Sequence, residues 1–511
     1  MAQGIGALLR GVTTSRQFSL QKDPPVDRCR IFRQNRHVNF DHVVIFDGAA
    51  VKKSVLVRLS AMAAVCALVP GAIAAQSAQP ENLLPMNAEI KEEAVEADTT
   101  AVVSEPVVQA IDAMAEAKHP AVQQWSVVDA RSLLTTIEGI SAEGLTPSDY
   151  NPAELRAAIA AGEGDALNQT ASKLFAWVVE DLRDGRTPMD SRKQWFVFDP
   201  DQDRYPTEKL MAQAIESGDV GKVLARIMPE HPDYARLREE LAKTPASNTS
   251  RRKLIRANMD RWRWLARDLG KQYLITNVPE YQLRLTVNDQ IVRTYRTVVG
   301  KPGRTATPQI AESVEGVIFN PTWTVPQSIV KGEGLGARVL GNPTWARNAG
   351  YTATKAANGF VTVVQQPGPT NSLGLMKLDM PNRHAIFLHD TPSRHLFKNA
   401  QRALSHGCVR TENATTLAIT LAILRGGLTA DEAKDTLASG KYTRVGFKQT
   451  MPVYITYFTM AQDINGELKV FSDIYGRDAA VLSSLDQPRK ANRSRVTGEQ
   501  VIVIEDDLRD S

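Results

Sequence analysis

Cysteine is nearly absent: 511 residues hold three, Cys29, Cys66 and Cys408. The first two lie within the opening 74 positions, so a chain processed there keeps one thiol and can form no internal disulfide. An excess of one charge is missing as well. The formal net charge is +4, but residues 1–74 carry ten Lys/Arg against four Asp/Glu, and the remainder carries fifty-one against fifty-three, a net of −2. Nothing in that balance calls for nucleic acid. No internal repeat is present. What remains, 43% hydrophobic and 23% charged residues, is the composition of an ordinary globular chain long enough for two or three packed domains.

The basic excess near the start reads as an export signal. Lys52 and Lys53 precede an apolar run over residues 59–69, followed by Pro70 and the small-residue site Ala72-Ile73-Ala74. This order predicts cleavage after Ala74 and delivery across an inner membrane to the periplasm. Residues 51–74 are therefore expected to be a signal peptide, and residues 1–50 a misannotated leader, with translation starting at Val51. The alternative is an uncleaved anchor over residues 54–74 with Arg58 snorkelling to the interface. A lipoprotein is disfavoured because Cys66 follows Val65, where lipidation wants a small residue. On this reading the membrane is met only through the signal segment. Residues 75–118, rich in Ala, Glu and Val, read as a disordered acidic linker.

Residues 119–270 have the pattern of a helical scaffold domain. Asn151-Pro152-Ala153-Glu154 places a cap, a first-turn proline and a carboxylate where a helix begins. Leu167, Ala171, Leu174, Val178 and Leu182 repeat on one face until Gly185. In residues 255–269 the apolar members Ile255, Met259, Trp262, Leu265 and Leu269 fall at helical spacing, so Arg256, Arg261, Arg263 and Arg267 read as a charged outer face rather than a nucleic-acid surface. The period changes near Tyr273. Leu283, Leu285 and Val287 alternate up to Asn288-Asp289 and residues 291–299 return, which predicts a hairpin. Further short strands are expected at 316–319, 361–364 and 385–388, so residues 271–448 form a mainly β catalytic domain. A helix is predicted over 414–424, halted at Gly426-Gly427, and Thr429 to Glu432 opens another as a capping box. Residues 453–460 and 468–471 flank Asn465-Gly466, which marks residues 449–484 as a C-terminal hairpin unit. Residues 485–511 turn polar and read as a flexible tail. The fold class is thus α+β.

The chemistry concentrates in two short stretches. Leu388-His389-Asp390-Thr391 is followed within about two dozen residues by Ser405-His406-Gly407-Cys408-Val409-Arg410. A secreted chain that keeps a lone cysteine holds either a buried inert thiol or a working nucleophile, and the neighbours of Cys408 favour the second. A thiol needs a base to become a thiolate and amide donors to hold the oxyanion that forms when it attacks a carbonyl. His389 ends an apolar run, where a strand edge can hold it rigidly while the intervening loop returns Cys408 beside it. Gly407 permits a tight turn that could aim its own amide and that of Cys408 at one oxygen. Arg410 supplies a fixed positive charge that favours the thiolate or grips a carboxylate, and His406 projects from the same turn. His384 and His395 read as surface residues without a role. A zinc site built from His389, His406 and Cys408 is disfavoured, since ligand pairs at the usual short spacing are incomplete and no metallopeptidase motif is present. No metal and no cofactor are expected.

At these residues the chain resembles a known family. A histidine in a His-x-Thr element, an interval of this length, then Ser-His-Gly-Cys, an aliphatic residue and Arg form the signature of the L,D-transpeptidases with a YkuD-type catalytic domain. The stretches Gly374 to Lys377, Pro381 to Pro392, Val299 to Pro302, Asn320 to Pro326, Arg261 to Leu265 and Asp473 to Asp478 are similar to the YcbB branch in particular. The likeness covers residues 120–480. It implies a periplasmic enzyme that attacks the L-centre of meso-diaminopimelate in a tetrapeptide stem, releases D-alanine and passes the acyl group to a second stem, giving a 3→3 cross-link. Carried onto this sequence, Cys408 is the nucleophile, His389 the general base and later acid, and the Gly407 and Cys408 amides the oxyanion hole. The backbone carbonyl of Asp390 orients the imidazole, while Ser405, His406 and Arg410 shape the substrate pocket. Carbapenem acylation of Cys408 is expected too. The partners implied are donor and acceptor stem peptides of peptidoglycan. Two departures stand out: residues 232–261 are too short for the separate peptidoglycan-binding module of larger members, and the capping segment at 325–361 is compact. The competing readings are an L,D-carboxypeptidase using the same residues with water as acceptor, and a non-catalytic wall-binding protein. Oligomeric state is not legible in the sequence.

Overall fold

A computed structural model of the chain describes residues 121–197, 204–491 and 497–501. The expected leader, signal peptide and acidic linker lie outside the described residues. The scaffold is helical, with α1 (Val127–Gly139), α2 (Pro152–Ala161), α3 (Asp165–Asp184), α4 (Thr207–Ser217), α5 (Val220–Ala225), α6 (Pro232–Lys243) and α7 (Thr249–Trp262). Its core gathers the stripe predicted from spacing, Leu167, Ala171, Leu174, Val178 and Leu182, against Leu133, Ile137, Tyr150, Leu155 and Met211. Each such large apolar side chain withdrawn from water is worth about 1.5–3 kcal/mol, which is what holds these helices together. The α3 helix stops where expected. Gly185 takes φ +84, and a Cβ there would strike the Trp264 ring, so only glycine lets the chain turn under that indole. Asn151 precedes α2 in the left-handed region without capping it through its side chain; its amide reaches Glu154 Oε2 instead, at 3.3 Å.

The β-rich domain is built on β1 (Gln272–Asn277), β2 (Gln282–Val287), β3 (Gln290–Gly300), β4 (Ile310–Phe319), β5 (Trp323–Thr324), β6 (Tyr351–Lys355), β7 (Val361–Gln365), β8 (Met376–Asp379), β9 (Leu388–His389), β10 (Ala403–Ser405), β11 (Val409–Thr411) and β12 (Thr443–Thr456). The main sheet runs β10-β3-β11-β9-β8-β4-β12-β1-β2, and β2 pairs again with β3. The first half of the long β3 meets β2 and its second half meets β11, so the sheet closes on itself. The β2–β3 hairpin turns at Asn288 and Asp289, both at positive φ, which is the geometry short polar side chains tolerate in a two-residue turn. Inside the closed sheet lie Leu274, Val317, Leu378, Leu388, Val409 and Val453, covered by Leu417, Ala418 and Leu421 of α11 (Ala414–Leu421), where α8 (Gln327–Gly332), α9 (Leu335–Gly341) and α10 (Pro343–Asn348) precede it in the chain. The last three pack on the small β5-β7-β6 sheet around Val325, Val330, Val339 and Val363, a capping unit over residues 323–365. The Thr429 capping box forms as expected and opens α12 (Ala430–Ala438).

Four expectations change here. The strand expected at 385–388 contracts to β9, because Ala385 adopts φ +52 and the preceding loop folds around Asn382. Position 448 is not a boundary: β12 runs through it, and its residues 453–456 pair with β1, so the C-terminal hairpin comprises only β13 (Met460–Gln462) and β14 (Leu468–Val470). Two of the arginines expected on an outer face do not lie there. Arg261 and Arg263 are buried, Arg261 paired with Asp478 at 2.6 Å and Arg263 bonded to Tyr234 Oη at 2.7 Å. Nor is the chain beyond Leu485 loose where it is described. After α13 (Asp478–Asp486), Arg489 is buried in ion pairs with Asp181, at 3.0 Å, and Glu180, and Glu499 accepts the Gln194 amide. A buried charge is retained only when paired and hydrogen-bonded, so these arginines fasten the C-terminal segment to the scaffold.

Candidate active site

The sheet register brings the two motif stretches together. β9 and β11 are parallel neighbours with Leu388 opposite Val409 and His389 opposite Arg410. On the other side of β9, His389 stands opposite Lys377 of β8. Directly opposed residues project from the same face of a sheet, so Lys377, His389 and Arg410 form one row across three strands, while Leu378, Leu388 and Val409 enter the core on the reverse face. Cys408 lies two positions before Arg410 at the mouth of β11 and is half-buried. Cys408 thus immediately precedes the strand that lies beside the one bearing His389.

His389 is buried, and its Nδ1 lies 2.5 Å from the carbonyl oxygen of Asp390. A carbonyl can only accept, so Nδ1 carries the hydrogen and Nε2 keeps its lone pair. Burial, then the nearby Arg410 and Lys377 charges, push the imidazole down to about 3 against the pull of that carbonyl. Burial also pushes the Cys408 thiol up, opposed by the Phe387 amide, Lys377 and Arg410. The resting pair is therefore a neutral thiol and a neutral imidazole rather than an ion pair. Cys408 Sγ points its weak donor at the Ala385 carbonyl, 3.7 Å away. Chemically this arrangement offers a protonated thiol and an unprotonated imidazole on neighbouring stretches of the sheet.

The Asp390 side chain does more than its backbone. Its carboxylate accepts the Leu375 amide at 2.9 Å and pairs with Arg394 at 3.1 Å, locking the chain just after the imidazole. Gly374 makes room for it: φ is +62, and a Cβ there would overlap the carboxyl group. On the opposite loop, the Asn382 side chain donates to the Met380 and Ile386 carbonyls and accepts the His384 and Ile386 amides, which shapes the turn that presents Ala385 to the sulfur.

Two residues expected at the substrate are placed otherwise. Ser405 is buried, its hydroxyl donating to the Cys408 carbonyl at 2.6 Å and accepting the Gly407 amide at 3.1 Å, so it pins the turn from inside instead of facing a pocket. The same bond occupies the Gly407 N–H that was expected to meet an oxyanion. Gly407 itself sits at φ +120. Its carbonyl accepts Thr307 Oγ1 at 2.7 Å, and that hydroxyl accepts the Gly300 amide at 2.8 Å. Tyr475 completes the brace, donating to the Gly300 carbonyl at 2.7 Å and accepting the Thr307 amide at 3.2 Å. His406 and Arg410 are half-exposed beside the sulfur, and His406 also senses Lys301 and, from the end of α8, Glu333. His384 is not a surface residue. Its ring is buried 4.5 Å from Phe196, and burial followed by the Arg383 charge lowers it to about 4. His395 is exposed. Among the described residues no group of three or more His, Cys, Asp or Glu side chains could hold a metal ion.

Residues 271–455 match the family model of the L,D-transpeptidase catalytic domain, YkuD, and residues 124–241 match that of the Scaffold domain. The chain carries a YkuD L,D-transpeptidase domain. A putative L,D-transpeptidase of Haemophilus influenzae is 32% identical over 223 residues, 41% of this chain and 45% of that protein, so the chain spans under half the length of the curated relative it matches. Among solved structures, an L,D-transpeptidase from Mycobacterium smegmatis shares 13% identity over 36% of this chain and 58% of its own, at a TM-score of 0.18. The imipenem complex of the transpeptidase LdtMt1 shares 14% over 36% and 59%, at 0.18. Likenesses that distant carry no weight for the site. The YkuD domain holds Lys377, His389, Asp390 and Cys408, whereas Tyr475 of the brace lies beyond the matched residues. Sequence reading missed Lys377, Thr307, Asn382 and the Asp390 carboxylate. The only signal for them was their place within or beside the family-like stretches.

Proposed function

We propose that the protein is a peptidoglycan L,D-transpeptidase that forms 3→3 cross-links through a cysteine acyl-enzyme. The observation that carries this reading is the placement of Cys408 directly before β11, the neighbour of the strand that bears His389, with Nδ1 of the imidazole held by the Asp390 carbonyl. His389 Nε2 takes the thiol proton as Sγ attacks the carbonyl of the L-centre of meso-diaminopimelate in a tetrapeptide stem. The C–N bond to D-alanine breaks, and the imidazolium returns the proton to the departing amine. The side-chain amine of a second stem then attacks the thioester, its proton passing to His389 and back to the sulfur as the new amide forms. With the Gly407 N–H held by Ser405, the oxyanion donor is assigned to the Cys408 amide. Arg410 and His406 line the entry for the stem. The protein acts in the periplasm after export, which mass spectrometry of the mature N-terminus checks by finding Ala75 at the start.

Incubating the purified protein with tetrapeptide muropeptides and resolving the products by liquid chromatography and mass spectrometry tests the reading. Cross-linked dimers with released D-alanine are expected; tripeptides alone would make the protein an L,D-carboxypeptidase, with water as acceptor, and unchanged substrate would leave a wall-binding protein. Cys408→Ala abolishes turnover. Activity surviving in that variant would overturn the cysteine mechanism.

A further inference from the structure

Among the described residues Lys377 has no ion-pair partner. It is half-buried in β8, and its Nζ lies 3.4 Å from the centroid of the Phe387 ring, over its electron-rich face. No carboxylate among the described residues comes within ion-pair distance of it. Asp379, two positions on, is engaged by Arg444 at 2.6 Å. Burial accordingly makes this ammonium easier to deprotonate, offset by Cys408 and Asp379. A partly desolvated, unpaired charge costs free energy in the resting protein. It is kept where an anion appears during the working cycle.

We infer that Lys377 is the residue that stabilises the Cys408 thiolate as it forms, acting on the sulfur through its charge across the width of β9. The register supports this, since Lys377, His389 and Arg410 stand in one row and Cys408 directly precedes the strand that bears Arg410. The alternative source of positive charge, the imidazole, is neutral at rest. The charged and titratable groups around the sulfur are Lys377 from β8, His389 from β9, Arg410 from β11 and His406 from the turn, with Lys301 and Glu333 beyond His406. Only Lys377 and Arg410 among them touch the thiol's own ionisation. Arg410 is half-buried to the same degree; what distinguishes Lys377 is that its ammonium sits over the Phe387 ring, on the side of β9 away from β11. The inference deepens the acyl-transfer reading and rests on Cys408 being the nucleophile.

The test reads the thiol directly and needs no stem peptide. In the full chain, alkylation of Cys408 by iodoacetamide is followed from pH 5 to 10 by mass spectrometry of the Cys408 peptide, in wild type, Lys377→Gln, Lys377→Met and Lys377→Arg. The midpoint of the alkylation profile moves up by about one pH unit in the two neutral variants, an effect of the size one nearby charge produces. Alkylation at pH 7 falls correspondingly, about tenfold, and Lys377→Arg restores the wild-type profile. Folding is read in parallel by thermal denaturation, and either neutral variant suffices if the other fails to fold. An unchanged midpoint with a raised KM for muropeptides would overturn the inference and assign Lys377 to a substrate carboxylate. An unchanged midpoint and KM would make it a packing residue. Absence of cross-linking in wild type, with the midpoint shift intact, would instead sink the functional reading alone.

Discussion

Thr307→Val isolates the brace beneath the catalytic turn. Thr307 is fully buried, and its hydroxyl joins two loops, accepting the Gly300 amide and donating to the Gly407 carbonyl. Valine keeps the shape and deletes both bonds. Two buried backbone groups are then stranded at once, and since each unsatisfied group costs about 1–3 kcal/mol, the variant should lose about 2–4 kcal/mol after some relaxation. The functional loss should exceed what stability alone predicts. Gly407 immediately precedes the nucleophile, and a displacement of a reacting atom by about 1 Å is worth on the order of a hundredfold in rate. Urea denaturation measures the first quantity and initial rates of muropeptide cross-linking the second. Thr307→Ser, which keeps the hydroxyl, should recover most of both. If Thr307→Val unfolds within about 0.5 kcal/mol of wild type, below the cost of even one stranded group, and cross-links at its rate, the brace is not what positions Cys408.

Other outcomes follow from neighbouring features. Gly374→Ala must overlap the Asp390 carboxyl in a left-handed conformation; it should cost about 1–3 kcal/mol in strain and slow turnover by shifting His389, and a variant indistinguishable from wild type in both would refute that linkage. Acid should destabilise the protein. Burial holds His231 and His389 at about 3 and His384 at about 4, below their usual 6.5, so the unfolded chain binds protons first and stability present above about pH 6.5 drains away as the pH falls toward 3. Asp233, raised to about 6 by burial, works in the opposite sense, with stability lost as pH rises through 6, and Glu280 and Glu312, also raised by burial, act with it; His406, lowered by burial, sides with the three histidines. Denaturation midpoints at pH 7, 5.5 and 4.5 should descend; a midpoint that climbs on acidification would contradict the buried neutral histidines.

The parts of this architecture that local pattern can carry were legible in the sequence. Helical spacing marked the α3 stripe, alternation and Asn288-Asp289 marked the β2–β3 hairpin, and the spacing of His389 and Cys408 marked the site. What local pattern cannot carry is pairing over distance. Arg261 read as part of a solvent face because Asp478, which neutralises it, lies 217 positions away; Arg263 pairs with nearby Asp260, but Tyr234, which bonds it inside, lies 29 positions away. Arg489 read as tail because Asp181 belongs to the first half of the chain. His384 read as surface because nothing nearby in sequence announces the Phe196 ring that covers it. Lys377 was given no role of its own, and only the register of β8, β9 and β11 reveals what stands beside it. Ser405 and the Gly407 amide were misjudged for a related reason: residue types fix what a turn can donate, and the folded turn decides where those donors are already committed.

The brace reaches the nucleophile from a stretch of chain that enters the fold after the last strand of the closed sheet. Shortening the protein to that sheet, at Thr456, would leave every group of the reaction in place and remove Tyr475, whose hydroxyl fastens Gly300 and Thr307. The turn that carries Cys408 would then keep Thr307 and Ser405 but lose the tyrosine that holds Thr307 and Gly300 in place. Catalytic competence is in this sense distributed beyond the region that resembles a minimal enzyme, and the smallest working fragment must include the segment that returns to dock.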